Sequence, residues 1–155
     1  MHIPHTKGQV SASGYSGWIE LTQVYFQIER PIAASPYSNV KMRPQQLNFS
    51  AINIMKRIDA SSSTLFSHIC SQQSLPLIEI HICHGSDQPT PYLKYQLYNS
   101  LLSHIDTQIS YGAYPNELIS LYFTKIITTY QGQNAQQQAR APIVSGYNLT
   151  TAEVL

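Results

Sequence analysis

Alternation is the strongest constraint in this chain of 155 residues: apolar side chains recur at every second position over much of its length, the spacing that places them on one face of a pleated strand. The residues used are largely β-branched or aromatic, which pack well on such a face. A mostly β protein is expected. Over 18–29 the apolar positions run Ile19 and Leu21, then change phase to Val24, Phe26 and Ile28. That pattern predicts one bent strand with a bulge near Thr22 and Gln23. The prolines Pro31, Pro36 and Pro44 follow. Each lacks the ladder's N–H donor and fixes φ, so no ladder is expected through 31–46, which reads as a long projecting loop.

Strand pattern resumes over 47–58, with Ile52, Ile54 and Ile58 on one side, Asn53 and Met55 on the other, and Asp59 as the stop. The serines at 61, 62 and 63 offer N-cap hydroxyls, and Leu65, Phe66, Ile69 and Cys70 form one helical stripe, so the single helix is expected at about 62–73. After Pro76, residues 77–84 alternate Ile78, Ile80 and Ile82 against Glu79, His81 and Cys83, and a turn follows through Gly85, Ser86 and Asp87. Two further strands are expected at 92–98 and 101–110. Gly112 and Pro115 mark a turn before a long alternating run with Ile119, Leu121, Phe123 and Ile127 on one face and Ser120, Tyr122, Thr124 and Thr128 on the other. The Gln- and Ala-rich segment 131–141 lacks periodicity and reads as a flexible loop, and a last short strand is expected near 143–149. Strands at hairpin spacing with one inserted helix suggest an antiparallel β-barrel or tight sandwich, since closure removes exposed edges. The length fits one domain over 1–155.

Charge narrows the function. Charged residues make up 11% of the chain, against about 25% in an ordinary soluble domain. Nine basic residues nearly balance eight acidic ones, so there is no electrostatic footprint for nucleic acid or an anionic membrane. No apolar run reaches the length of a spanning helix, so membrane insertion is not expected. Residues 1–8 lack the apolar stretch of a secretory signal, which makes the cytosol the expected compartment. There Cys70 and Cys83 are expected as buried, reduced thiols.

Catalysis needs titratable groups gathered in one pocket, whereas the carboxylates are scattered singly. No Gly-x-Ser-x-Gly elbow, phosphate-cradling glycine loop or His-Glu-x-x-His occurs. The cluster Glu79, His81, Cys83 and His84 contains ligands suited to zinc or copper, but alternation puts His84 on the opposite face from the other three. These four are read as sheet residues, and neither a metal nor another cofactor is expected. A small metal-binding enzyme and a monomeric β-barrel binding module stand as alternatives to the leading idea, a neutral surface rich in tyrosine that is buried in an assembly.

The order of several motifs resembles the haemolysin-coregulated proteins (Hcp), the inner-tube family of the bacterial type VI secretion system. Lys7-Gly8 followed by Gly17-Trp18-Ile19-Glu20-Leu21 is similar to the family's opening strand, although Pro4 falls within it, and Arg30-Pro31-Ile32 to the approach to its extended loop. Lys56, Asp59, Ser61-Ser62 and Leu65-Phe66 resemble the junction of strand and helix. Glu79-Ile80-His81 with Cys83, then Thr90-Pro91-Tyr92-Leu93-Lys94-Tyr95, continue the likeness. So do Glu117, Leu121, Phe123-Thr124-Lys125-Ile126 and Tyr130, and finally Gly146-Tyr147 with Leu149.

The resemblance implies a barrel of two sheets flanked by one helix, protomers joined head to tail as a homohexameric ring, and rings stacked into a tube. It implies no enzymatic activity, and with the closing strand so near Leu155 no appended toxin domain is expected. The expected partners are further copies of the chain, the contractile sheath, a VgrG spike, and effector proteins carried in the lumen. The expected course is cytoplasmic assembly followed by secretion through the machine. Ring stacking is assigned to the loop that carries Pro31, Pro36, Tyr37, Ser38, Asn39, Val40, Lys41, Met42, Arg43 and Pro44. Gly17, Trp18, Glu20, Lys56, Asp59, Pro91, Tyr92, Lys94, Tyr95, Lys125 and Tyr147 are carried over as structural positions.

Overall fold

The longest strand organises the molecule. In the computed structural model, which describes residues 1–33, 43–85, 88–133 and 139–155, β8 (Thr90–Gln108) runs for 19 residues. Its first half is antiparallel to β7 (Leu75–His84) and β10 (Lys125–Tyr130), its second half to β9 (Asn116–Tyr122). The two strands expected at 92–98 and 101–110 are therefore one. Asn99 sits between them with φ +48°, a left-handed conformation that asparagine tolerates better than most residues. It turns the strand without ending it, and burial changes phase from Leu97 to Ser100 and Leu102. In the sequence that phase change looks like a boundary. Pro76 lies within β7 opposite this kink: rungs join Leu75 to Ser100 and Leu77 to Tyr98, and none joins Pro76 to Asn99.

From β8 the pairing spreads both ways. β10 pairs β11 (Ile143–Asn148), which pairs β12 (Glu153–Val154), while β9 pairs β6 (Ile52–Arg57), which pairs β1 (Gln23–Tyr25). The result is an eight-stranded antiparallel sheet in the order β1-β6-β9-β8-β10-β11-β12, with β7 beside β8. It bends about β8 into the two walls of a half-barrel around Ile52, Ile54, Ile78, Ile80, Leu97, Ile119 and Leu121, each wholly buried. Burying such a side chain stabilises the fold by roughly 1.5–3 kcal/mol. The mostly β barrel of two sheets with a flanking helix is as expected.

The long run after Asn116 breaks where it crosses between the walls. β9 ends at Tyr122, Thr124 donates its N–H to Tyr98, and β10 begins at Lys125. One residue is lost from the alternation, so Ile126, and not the expected Ile127, enters the core beside Phe123. The expected strand over 18–29 likewise shortens to β1 and β2 (Ile28–Glu29), and its phase change is a bend at Thr22, whose N–H and hydroxyl both donate to the Met55 carbonyl. The strand expected over 47–58 divides into β5 (Asn48–Phe49) and β6. Its third inward position is Lys56, while Ile58 lies past the strand end and is exposed.

The loop over 31–46 does carry a ladder at its base, contrary to the proline argument. β2 pairs β5, and β3 (Ile32–Ala33) pairs β4 (Arg43–Pro44). The carbonyl of Pro31 accepts the Gln45 N–H at 2.8 Å. A two-stranded ribbon leaves one edge of each strand free, where a missing donor costs nothing. The remaining candidates Pro36, Tyr37, Ser38, Asn39, Val40, Lys41 and Met42 lie outside the described residues, as do Ser86, Asp87 and 134–138.

Among the described residues the helix is α1 (Ser62–Ser71), which ends where Gln72 turns left-handed at φ +51°. Its stripe is narrower than expected: Leu65 is buried and Ile69 packs on the core, but Phe66 is 64% exposed. Cys70 is exposed and Cys83 half-buried, so neither thiol is a core residue. No side-chain hydrogen bond caps the helix at Ser61 either, since its hydroxyl and that of Ser62 are engaged by Asp59 and Glu117.

Gly8 is a tight point. A Cβ there would stand 2.2 Å from the Trp18 carbonyl oxygen and 2.6 Å from Ile19 Cα, and backbone cannot rotate aside. Gly8→Ala is expected to destabilise by at least the 1–3 kcal/mol typical of overpacking, measured by urea unfolding. An unchanged midpoint would refute the packing.

Candidate functional site

Lys56 is the least expected core residue. It is wholly buried, and its ammonium donates to Glu117 Oε2 at 2.9 Å, Asp59 Oδ1 at 2.9 Å and Ser62 Oγ at 3.0 Å. Ser62 Oγ accepts the Asp59 N–H and donates to Glu117 at 2.8 Å, while Ser61 donates both N–H and hydroxyl to Asp59. Burial pushes the Asp59 carboxyl up, but the hydrogen bonds from Ser61 and Lys56 outweigh it and hold it below its ordinary range. The ions stitch the end of β6 and the start of α1 to β9. All three charges are consumed in that task, so the cluster offers no free acid or base. All three ions stand among the residues of the motif resemblance, but the pairing of Glu117 with Lys56, 61 residues away, lies beyond any local pattern.

A second cluster gathers at the half-buried face of β7. Tyr15 Oη lies 3.1 Å from His81 Nδ1 and accepts the Cys83 thiol at 3.4 Å. Trp18 packs on His81 with ring centres 4.7 Å apart and on His2 at 5.3 Å. Gly17, at φ +77°, makes the turn that presents Trp18. Burial and the nearby Lys94 push His81 down, and burial with the Cys83 contact pushes the Tyr15 phenol up. Glu79 instead accepts from Gln96, and His84 stacks on Tyr92 at 4.1 Å. Among the described residues no three His, Cys, Asp or Glu side chains are arranged to hold a metal. Nothing in the sequence marks Tyr15, whose 66-residue separation from His81 is closed only by the fold.

The other carried-over residues lie dispersed along the sheet. Pro91 faces Cys83 across the bulge in β7, Tyr95 meets Phe26 edge-on at 5.4 Å, and Tyr147 stacks on Phe49 at 5.3 Å. Lys125 Nζ lies 3.8 Å from the centre of the Tyr98 ring, and Glu20 is exposed. They do not converge on one pocket. The surface carries the more suggestive feature: Tyr25, Ile28, Ile32, Ile143, Val144 and Val154 are each more than half exposed. Several lie on or beside β1 and β12, the two ends of the long sheet, where unpaired peptide groups invite pairing.

This architecture is that of a known family, for the family model of the type VI secretion system effector Hcp matches residues 1–130. The chain belongs to the Hcp family. A type six secretion system protein of known structure shares the fold at a TM-score of 0.91, with 18% identity, over 99% of this chain and 96% of its own. Hcp1 from Salmonella typhimurium aligns at 0.78, with 18% identity, over 99% and 95%. A type VI secretion system effector from Yersinia pestis aligns at 0.76, with 17% identity, over 95% and 96%. No curated protein matches the chain by sequence. The Hcp family is one of structural secretion proteins. None of the described helices is long and apolar enough to cross a membrane.

Proposed function

We propose that this Hcp-family chain is the building block of a type VI inner tube. Six copies close head to tail into a ring, and rings stack into a tube that a contractile sheath propels outward with a VgrG spike. Effectors ride in the lumen, and assembly takes place in the cytoplasm before secretion. Membership of the family over residues 1–130 carries this reading. The exposed apolar side chains on a chain with 11% charge support it, because few charges need to be desolvated when copies meet. The extended arm is assigned the contact between rings.

Native mass spectrometry tests the proposal. A particle of six protomer masses is expected, each of 17.4 kDa, at micromolar concentration. A chain that stays monomeric at every concentration tried overturns it and favours a binding module.

A further inference from the structure

The hairpin that joins β8 to β9 presents apolar side chains to solvent. Ala113 donates its N–H to the Ser110 carbonyl at 3.2 Å, with Gly112 at φ +79°, and this turn sets Tyr111 at its apex. Tyr111 is fully exposed, Ile109 and Tyr114 are largely so, and no charged residue lies between Asp106 and Glu117. The tip is also held firm, for Arg57 lies over the Tyr114 ring at 4.5 Å and the Pro115 carbonyl accepts the Ile58 N–H. An exposed apolar cluster marks an interaction site, and a tyrosine held out on a fixed turn loses little freedom on docking.

The opposite end of the same wall carries a hole. In the β6–β9 register Arg57 pairs Asn116 beside the tip, and Ile52 pairs Leu121 at the far end, roughly 17 Å away at the rise of an antiparallel strand. Just past that far end Phe26 and Phe49, with Tyr95 and Tyr147, line a cavity of about 140 Å³. Thr128 and Ser145, a direct cross-strand pair, also line it. An apolar cavity of about 150 Å³ takes one benzene ring, and the two hydroxyls suit a ring that bears a hydroxyl of its own. Tyr25 and Ile28, each more than half exposed, stand at the same end.

We propose that Tyr111 of one copy enters this cavity in the next, and that this is the head-to-tail contact of the ring. The inference rests on the tube reading and names the surfaces that reading requires. Tip and cavity lie at opposite ends of one wall, so they cannot meet within a molecule. They are also different surfaces, which makes the contact heterologous, the kind that closes into a ring when its rotation fits. The occupant is a second copy because the cavity matches the tip in size and chemistry: one aromatic ring with one hydroxyl. Each chain then gives a tip and receives one, and both apolar surfaces leave the solvent together.

Native mass spectrometry across a dilution series of the intact chain tests the contact. Tyr111→Asp is expected to raise the concentration at which half the chains are in hexamers by at least about tenfold, as loss of a central aromatic anchor does. Its urea midpoint should stay that of the parent, because the side chain is fully exposed in its own molecule. Ser145→Trp, which obstructs the cavity from the receiving side, is expected to weaken hexamers in the same way, whereas Tyr111→Phe keeps the ring and should retain them. Undiminished hexamers in Tyr111→Asp overturn the contact and leave the tube reading standing. Weakened hexamers in Tyr111→Asp but not in Ser145→Trp overturn the cavity as the receiving surface. A parent that stays monomeric overturns the tube reading and the contact with it.

Discussion

Truncating Lys56 to alanine is expected to cost about 3–5 kcal/mol of folding free energy, a large part of the 5–15 kcal/mol that holds a typical domain together. The cost does not measure the worth of the ion pairs. It comes from leaving Glu117 and Asp59, with side chains 8% and 9% exposed, buried beside each other without their cation. Removing the charges together should be much milder, since well-packed apolar substitutes for buried ions are often neutral. Lys56→Met combined with Glu117→Leu is therefore expected to recover at least about 1 kcal/mol relative to the sum of the single changes. Chemical unfolding of the four proteins in the cycle decides it. Strict additivity would mean that the ions do not act as a unit.

The same cluster predicts the response to acid. Asp59 is held below its ordinary value of 3.8 in the folded chain, so the unfolded chain binds the proton first. Its contribution is complete above about pH 4 and is lost as the pH falls through the lower, folded value. In Lys56→Ala the hydrogen bond and the charge of the lysine are gone, so Asp59 is held down less and the loss of stability on acidification below about pH 4 should be smaller than in the parent. Midpoints of urea unfolding between pH 3 and pH 7 report this directly.

Alternation carried most of the fold to the surface of the sequence, because each strand buries one face and a period of two is hard to mistake. It failed where the chain crosses between the two walls. At Asn99 and at Phe123-Thr124 the phase slips by one residue, so a continuous strand looked divided and a divided one looked continuous. It also failed at Lys56, which occupies a core position that apolar periodicity reserves for isoleucine or leucine. Its partner Glu117 becomes a neighbour only through the β6–β9 register, in which the two residues are a direct pair. The Tyr15–His81–Cys83 contact has the same origin. Local pattern read His81 and Cys83 as sharing a face, and a loop residue far off in sequence supplies what binds them. The paired base of the proline-bearing segment 31–46 was not legible, since single-residue rules for proline assume a strand with neighbours on both sides.

Deleting residues 37–42 should abolish tubes and secretion while leaving hexamers intact, provided the arm makes the contact between rings. A ring of identical copies closes when its head-to-tail rotation fits, whereas a contact along the ring axis has nothing to close it and propagates as a filament. The two contacts are separable, so a cut in the second need not weaken the first. The rungs Ile28 to Phe49 and Ile32 to Pro44 lie outside the deletion, as do the buried core residues among the described residues. Folding stability should therefore change by less than about 0.5 kcal/mol, the range of ordinary surface changes. The effect on stacking should be near total, because prolines flanking the deleted stretch lower the ordering cost of docking and concentrate binding energy there. Native mass and electron microscopy on the same preparation separate the outcomes: hexamers without tubes support the assignment, normal tubes defeat it, and monomers would place the arm in the ring contact instead.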